Sequence, residues 1–350
     1  MRMLDLFSGI GGFHKGFEQA GYEFDWVGFS EIDKYASAVY RHRFPKAVEI
    51  GDITVIQPER DLPDHIDILC GGFPCQAFSV AGKRKGFNDT RGTLFFEIAR
   101  ILRYYRDIEK PIPCVVLENV KGLLHHDSGR TFATIYRVLT DIGYTVECEL
   151  LNTRNFSIPQ NRERIYIVCY LGDRGRPQVF PIGENCKEVN GIQRQYTNTL
   201  KARYTATGDG SYIIESELNA QKKESIMVQI PEATKKGYAE AEEGDSINLS
   251  VPNSKTRRGR VGKSEAQTLD TGMQQYTIQS GIRRLTPIET CRLQGFPDDW
   301  NAYGEFDGKV VEMSDTQRYK QCGNAVTVDV VQAVAQKVKR LIKSESTICK

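Results

Sequence analysis

The chain has 350 residues, 40% of them hydrophobic and 26% charged, a length that fills one large core or a core plus a smaller unit and a composition that excludes fibrous and wholly disordered classes. Lys and Arg total 47 against 45 Asp and Glu, a formal net charge of +2, so no overall basic character marks a nucleic-acid partner. Mean hydropathy is −0.43, no apolar run reaches the roughly 18 residues of a membrane span, and Met1-Arg2-Met3-Leu4-Asp5 opens a strand pattern rather than a signal peptide, so a soluble, unprocessed, cytoplasmic protein is expected.

Up to residue 170, short apolar runs alternate with helical periodicity. Met3–Phe7, Trp26–Phe29, Ile66–Cys70, Val115–Leu117, Thr145–Leu151 and Ile165–Cys169 read as strands, and Phe13–Ala20, Lys34–Arg43, Thr93–Tyr105 and Thr131–Ile142 as helices. This alternation predicts an α/β fold, a doubly wound and mostly parallel sheet with helices on both faces and ligands beyond the carboxyl ends of the strands. Periodicity weakens over residues 171–282, which read as a smaller, irregular, β-rich unit. From residue 283 the helical signal returns: Thr286-Pro287-Ile288-Glu289 has the form of a capping box with proline at N1. A closing helix from about Val326 to Ile342 carries Val326, Val330, Val334, Val338 and Leu341 at a spacing suited to docking on the first unit. The predicted organisation is 1–170, an inserted 171–282, and 283–350 returning to the first.

The nine cysteines include no C-x-x-C pair and do not group with the five histidines, so no metal site is expected and reduced thiols are the default. Most sit in apolar stretches and read as buried packing. Cys75 differs because it lies in the turn Gly71-Gly72-Phe73-Pro74-Cys75-Gln76 after a strand, where a loop presents it.

Asp5-Leu6-Phe7-Ser8-Gly9-Ile10-Gly11-Gly12 places a glycine-rich turn between the first strand and helix, where backbone approaches a ligand closely. His14 takes the place of the third glycine of a dinucleotide fingerprint, which argues against a pyrophosphate. Glu31, at the end of the second strand, suits ribose hydroxyls, and Asp52 an adenine amine. An adenosine ligand such as S-adenosyl-L-methionine fits, with a plain βα turn flanked by surface acids as the competing reading. Glu118-Asn119-Val120 and Gln160-Asn161-Arg162-Glu163-Arg164 bring a carboxyl group and two guanidinium groups to the same sheet edge as Cys75, against the alternative of surface charge beside a strand.

Six blocks in order, Phe7-Ser8-Gly9-Ile10-Gly11-Gly12, Gly72-Phe73-Pro74-Cys75-Gln76-Ala77-Phe78-Ser79, Glu118-Asn119-Val120, Gln160-Asn161-Arg162-Glu163-Arg164, Arg284-Leu285-Thr286-Pro287-Ile288-Glu289 and Gly323-Asn324-Ala325-Val326, resemble the motifs of DNA cytosine-5 methyltransferases and span nearly the whole chain. The resemblance implies the S-adenosylmethionine-dependent methyltransferase fold with a target-recognition domain, and a single-chain bacterial or phage enzyme. Its mechanism would use Cys75 as nucleophile on C6 of a flipped-out cytosine, Glu118 at N3 and the amine, and Arg162 and Arg164 holding and polarising the base. The cofactor would be held by Phe7, Gly9, Gly11, Glu31, Asp52, Ile53, Pro74, Asn324 and Val326, with Ile32 where some members carry an aromatic residue.

The implied partner is double-stranded DNA. Gln76 and Ser79, with the basic loop residues Lys83, Arg84, Lys85 and Arg91, would contact the strand and its phosphates; a solvated mobile loop is the other reading. Charge within 171–282 is segregated: Glu215–Asp245 holds eight acids and four bases, whereas Lys255–Lys263 holds five bases and no acid. Arg257, Arg258 and Arg260 in that run suit guanine edges, or else form a solvated face. Gln267-Thr268-Leu269 resembles the family's Thr-Leu element, with Thr197-Asn198-Thr199-Leu200 as rival. A monomer without membrane association, in the cytoplasm of a bacterium or of a phage host and paired with a restriction endonuclease, is expected. RNA methylation and a catalytically silent adenosine-binding module are the alternatives.

Overall fold

The computed structural model describes residues 1–74, 94–172, 178–182, 227–251, 260–278 and 282–348. Residues 1–74 and 94–172 build the frame that positions the site. Seven strands, β1 (Arg2–Leu6), β2 (Trp26–Ser30), β3 (Val48–Glu49), β4 (Ile68–Gly72), β5 (Cys114–Val120), β6 (Thr145–Asn152) and β8 (Glu163–Tyr170), form one sheet in the order β3-β2-β1-β4-β5-β8-β6. Neighbours from β3 to β5 are parallel, and β8 runs antiparallel to both β5 and β6. The order reverses beside β1, so the crevice beyond the carboxyl ends of β1 and β4 is the binding position for a sheet of this type.

The central strands read as continuous apolar runs because both faces are covered. One face packs α4 (Leu94–Asp107) and α5 (Arg130–Asp141) around Leu69, Val115, Leu117 and Ile167; the other buries Met3, Ile68, Val116 and Val168 under α1 (Gly12–Gln19) and α8 (Val328–Ile348). The valines at 326, 330, 334 and 338 are all buried in that second cluster with Phe13 and Phe17, each such side chain contributing roughly 1.5–3 kcal/mol over an exposed one. Close approach makes this possible. A Cβ on Gly16 would lie 2.5 Å from a methyl of Val331, and one on Gly12 would lie 2.6 Å from a methyl of Val326.

Three departures from the expected elements bear on the site. The two-residue β3 adds a seventh strand that is too short to show in periodicity. The strand β5 continues through Glu118 and Asn119 to Val120, so these residues belong to the strand instead of following it. The closing helix starts at Val328, after an extended Ala325.

The smaller unit is a four-stranded antiparallel sheet, β12 (Val261–Gly262), β11 (Ser246–Asn248), β14 (Gln275–Ile278) and β15 (Ile282–Arg284), in that order, beside a hairpin of β9 (Val228–Pro231) and β10 (Tyr238–Ala241). Its core is small: Ile230, Ala241, Ile247 and Ile278. The expected boundary at 282/283 falls inside β15. Among the described residues one ladder joins it to the larger unit, where β13 (Ala266–Gln267) pairs in parallel with β7 (Gln160–Asn161). The expected capping box opens α6 (Pro287–Leu293): Thr286 Oγ1 accepts from Glu289 N, and Glu289 Oε2 accepts from Thr286 N at 2.8 Å. Next, α7 (Asp315–Asn324) leads into α8.

Candidate active site

At the carboxyl edge, Gly72 on β4 lies opposite Glu118 on β5, and Glu118 lies opposite Tyr166 on β8. Side chains alternate along a strand, so Arg164, two residues from Tyr166, shares the face of Glu118. Its Nε is 3.0 Å from Glu118 Oε1, an ion pair with both side chains largely buried, although the N–H does not point along a hydrogen bond to that oxygen. A Cβ on Gly72 would stand 3.2 Å from Glu118 Oε2, so glycine leaves the room this carboxyl occupies. Burial raises the Glu118 pKa above the usual carboxylate range while Arg164 and Arg162 pull it back. Burial and the two guanidinium groups thus act on Glu118 in opposite directions, with burial the larger.

Five consecutive residues, 160–164, hold five different parts of the molecule. Gln160 Nε2 donates to Leu293 O at 3.2 Å, and Asn161 O accepts from Thr268 Oγ1 at 2.9 Å. The Arg162 guanidinium donates to Gly323 O at 3.3 Å and Ala325 O at 2.8 Å. Glu163 Oε2 accepts from Lys121 Nζ at 2.8 Å, and Arg164 faces Glu118. Arg162 is 3% exposed; desolvation depresses its pKa to about 10, which leaves it charged at neutral pH.

The glycine-rich turn lies next to this edge. Phe7 adopts φ 53° and Gly9 φ 54°, a region that glycine enters freely and other residues seldom do, and the space around Gly9 is open. Gly11, at φ 84°, precedes α1. Glu31 accepts from Gly9 N and Asp33 N, each at 2.8 Å, and burial raises its pKa. Ile32 is 77% exposed, Ser8 Oγ is buried without a partner, Asp52 is exposed and caps Thr54 N at 2.9 Å, and Ile53 is buried. Val326 packs against Gly12 and reaches toward Gly72, with Asn324 exposed and Pro74 at the open end of β4. These groups fit an adenosine ligand: a carboxylate with lone pairs left for hydroxyls, an apolar surface for a ring, and an orphaned hydroxyl beside an open turn.

Of the sequence-predicted residues, Glu118 and Arg164 meet at the β5–β8 edge, Gly9 and Glu31 are bonded at the glycine turn, and Val326 packs between Gly12 and Gly72, whereas Arg162 is turned inward onto Gly323 O and Ala325 O. Cys75, Gln76, Ser79, Lys83, Arg84, Lys85 and Arg91 lie outside the described residues, as do Arg257, Arg258 and the rival pair Thr199-Leu200. Arg260 is 6% exposed. It points inward, its guanidinium on the carbonyls of Pro231 and Val251 and its N–H on Glu232 Oε1, so it ties strands together instead of facing a groove. Thr268 stands at the junction of the two units, and Leu269 is buried. Asn119 lies in the Glu118-Asn119-Val120 motif, which by itself gives it no task. Its Nδ2 donates to Phe73 O at 2.8 Å, which anchors the chain two residues before Cys75, and nothing in the local sequence marks that partner.

A doubly wound sheet with a glycine turn after β1, an acid ending β2 and a buried carboxyl between cations at the β4–β5 edge defines a nucleoside-cofactor enzyme. The family model for C-5 cytosine-specific DNA methylases matches residues 1–340, and the chain belongs to this family of DNA cytosine-5 methyltransferases. It is 39% identical over 338 residues to the Type II methyltransferase M.SsoII of Shigella sonnei, covering 96% of this chain and 79% of that protein. It is 34% identical over 346 residues to M.HhaI of Haemophilus parahaemolyticus, covering 97% and 94%. The crystal structure of the S. pombe Dnmt2 methyltransferase shares the fold, with a TM-score of 0.62 over 99% of both chains at 19% identity.

Proposed function

We propose that this protein is a sequence-specific methyltransferase that places a methyl group on C5 of a cytosine rotated out of double-stranded DNA, with S-adenosyl-L-methionine as cofactor and Cys75 as covalent nucleophile. The observation that carries the reading is Glu118, a buried carboxyl with a raised pKa, paired with Arg164 and facing the end of the strand that leads into Phe73-Pro74-Cys75.

Cytosine C5 is a poor nucleophile, so the ring must lose its aromaticity before it can be methylated. Cys75 thiolate adds to C6, and the displaced π electrons build up at C5 while Glu118 supplies a proton or hydrogen bond at N3. S-adenosyl-L-methionine supplies an electrophilic methyl group when bound. Once C5 carries the methyl group, a solvent water takes the C5 proton, the electrons of that C–H bond re-form the C5–C6 double bond and expel the Cys75 thiolate, and any proton given to N3 returns to Glu118. Arg164 keeps Glu118 oriented and favours the thiolate. Glu31 and the turn at Gly9 would hold the ribose and methionine portions, and Ile32 would cover the adenine. Neither C6 nor N3 is reachable within a duplex, so the base is flipped at a cost of a few kcal/mol. Lys83, Arg84, Lys85 and Arg91 would hold its phosphates, and Arg257 and Arg258 would read the flanking bases.

The similar Type II methyltransferases support a role in protecting DNA beside a restriction endonuclease, and the proposal adds a monomer acting in the cytoplasm of a bacterium or of a phage host. The test is incubation with labelled cofactor and either DNA or transfer RNA, followed by trapping on DNA that carries 5-fluorocytosine. Transfer to DNA and an adduct that resists denaturation, lost in Cys75→Ser, are expected. Transfer to RNA alone, or turnover on DNA without any trapped adduct, overturns the proposal.

A further inference from the structure

Arg162 was expected to hold and polarise the cytosine beside Arg164, but its geometry points elsewhere. Of the two guanidinium groups, only that of Arg164 contacts Glu118. That of Arg162 is turned into the protein, with Nη1 on Gly323 O at 3.3 Å, Nη2 on Ala325 O at 2.8 Å, and Nε buried without a partner. The two carbonyls flank the end of α7, where the last helical carbonyls have no intrahelical donor and the helix dipole favours a cation.

Beyond them the chain is extended at Ala325 and re-enters a helix at Val328. On one side of this turn Gln294 Nε2 donates to Cys322 O at 2.8 Å, and Gln294 Oε1 accepts from Thr327 Oγ1 at 2.8 Å. Arg162 is therefore the charged group among the described residues that holds the middle of the turn, from which Asn324 emerges exposed and Val326 packs onto Gly12. The backbone of Gly323 has no slack of its own, since a Cβ there would lie 2.6 Å from the Asp270 carbonyl carbon.

We propose that Arg162 is a positioning residue that caps α7 and fixes the 323–326 turn, so that it sets affinity for the cofactor and leaves the grip on the target base to Arg164. This rests on the functional reading above, which makes the 323–326 turn part of the cofactor pocket. A lysine at 162 carries the charge but has no planar fork to span two carbonyls. It keeps the site cationic while releasing one of the two holds.

The experiment is calorimetric titration of S-adenosyl-L-methionine into the full-length protein without DNA, paired with steady-state kinetics on DNA, for wild type, Arg162→Lys and Arg164→Lys. Arg162→Lys is expected to weaken binding at least roughly tenfold, the loss of one hydrogen bond to a charged group, and to raise KM for the cofactor equally, with kcat at saturation within about threefold of wild type. Arg164→Lys is expected to do the reverse, lowering kcat with cofactor binding unchanged. Binding that Arg162→Lys leaves unaltered, or a fall confined to kcat, overturns the proposal. Wild type that binds no S-adenosyl-L-methionine overturns the functional reading and this proposal with it. If Arg162→Lys does not fold, amide exchange of the wild type decides: the cofactor must slow 160–164 together with 323–328, and slowing of 323–328 alone overturns it.

Discussion

Asn119 and Phe73 are joined across the edge of the sheet by a 2.8 Å hydrogen bond from a side-chain amide to a backbone carbonyl, with each residue 2% exposed. The same amide accepts from Val120 N through Oδ1 at 2.8 Å. One side chain therefore satisfies the end of β4 and the end of β5, and it fixes the backbone that leads through Pro74 to Cys75. Proline supplies no N–H of its own to help.

Asn119→Ala leaves the buried Phe73 carbonyl without its donor and the part-buried Val120 N–H without its acceptor, and the expected loss of unfolding free energy in urea is roughly 1–3 kcal/mol. Turnover on DNA is expected to fall by at least about tenfold, because a nucleophile displaced by a fraction of an ångström misses its target atom. Wild-type turnover in a folded Asn119→Ala protein would remove Asn119 from the list of groups that position Cys75.

These two residues also mark what the sequence could reveal and what it could not. The sheet was legible because strands covered on both faces must be apolar throughout, as Cys114–Leu117 and Ile165–Cys169 are. Glu118 and Arg164 were legible because a charged residue beside such a run needs a reason. The acceptor of Asn119 lies 46 residues away, and those of Arg162 lie 161 and 163 residues away. All are backbone carbonyls, which every residue carries, so no pattern of side chains announces them. Arg260 misled in the opposite direction: a cluster of bases is readable as charge, but whether each one faces outward depends on a β-sheet of short strands held by a few buried residues.

Glu118→Gln keeps the shape of the side chain and removes the ionisable group that pairs with Arg164. The expected fall in kcat is about 10²–10⁴-fold, the range for losing a positioned acid. Stability should also decline, since the largely buried Arg164 guanidinium loses its counter-charge. Pre-steady-state quench with labelled cofactor separates these effects, because a folded variant with an undiminished methyl-transfer rate would exclude an acid role for Glu118.

Gly16→Ala tests the packing that carries the C-terminal helix. The added methyl would meet Val331 Cγ1 at 2.5 Å and Val328 O at 3.1 Å, and backbone cannot move aside as a flexible side chain can. Overpacking of this kind costs about 1–3 kcal/mol, which outweighs the roughly 1 kcal/mol that alanine gains over glycine within a helix. The thermal midpoint is therefore expected to fall, and a rise would show that α1 and α8 are less closely set.

A buried polar chain beneath the glycine turn gives a pH signature with two opposing limbs. Tyr40 OH donates to Asp5 Oδ2 at 3.2 Å and lies 3.1 Å from His14 Nδ1, while Cys70 Sγ lies 3.6 Å from Asp5 Oδ1. Burial lifts the Asp5 pKa from 3.8 to about 8, and burial drops that of His14 from 6.5 to about 4. Glu18 stands 3.8 Å from His14 Nε2, but His14 is neutral at pH 7, so no ion pair forms there. For Asp5, raised in the fold, the stabilisation is complete below pH 3.8 and is lost as pH climbs through 8. For His14, lowered in the fold, it is complete above 6.5 and is lost as pH falls through 4. Each limb has a slope of up to about 1.4 kcal/mol per pH unit. The two cancel between about 4 and 6.5, and the Asp5 loss stands alone from 6.5 to 8. Relative to wild type, Asp5→Asn is expected to remove the decline above pH 6.5 and expose the His14 loss below it. His14→Gln is expected to expose a continuous Asp5 decline from pH 4 to 8. Urea denaturation of the three proteins at half-unit intervals measures both differences, and parallel pH profiles for all three would mean that neither group is held in the charge state its burial imposes.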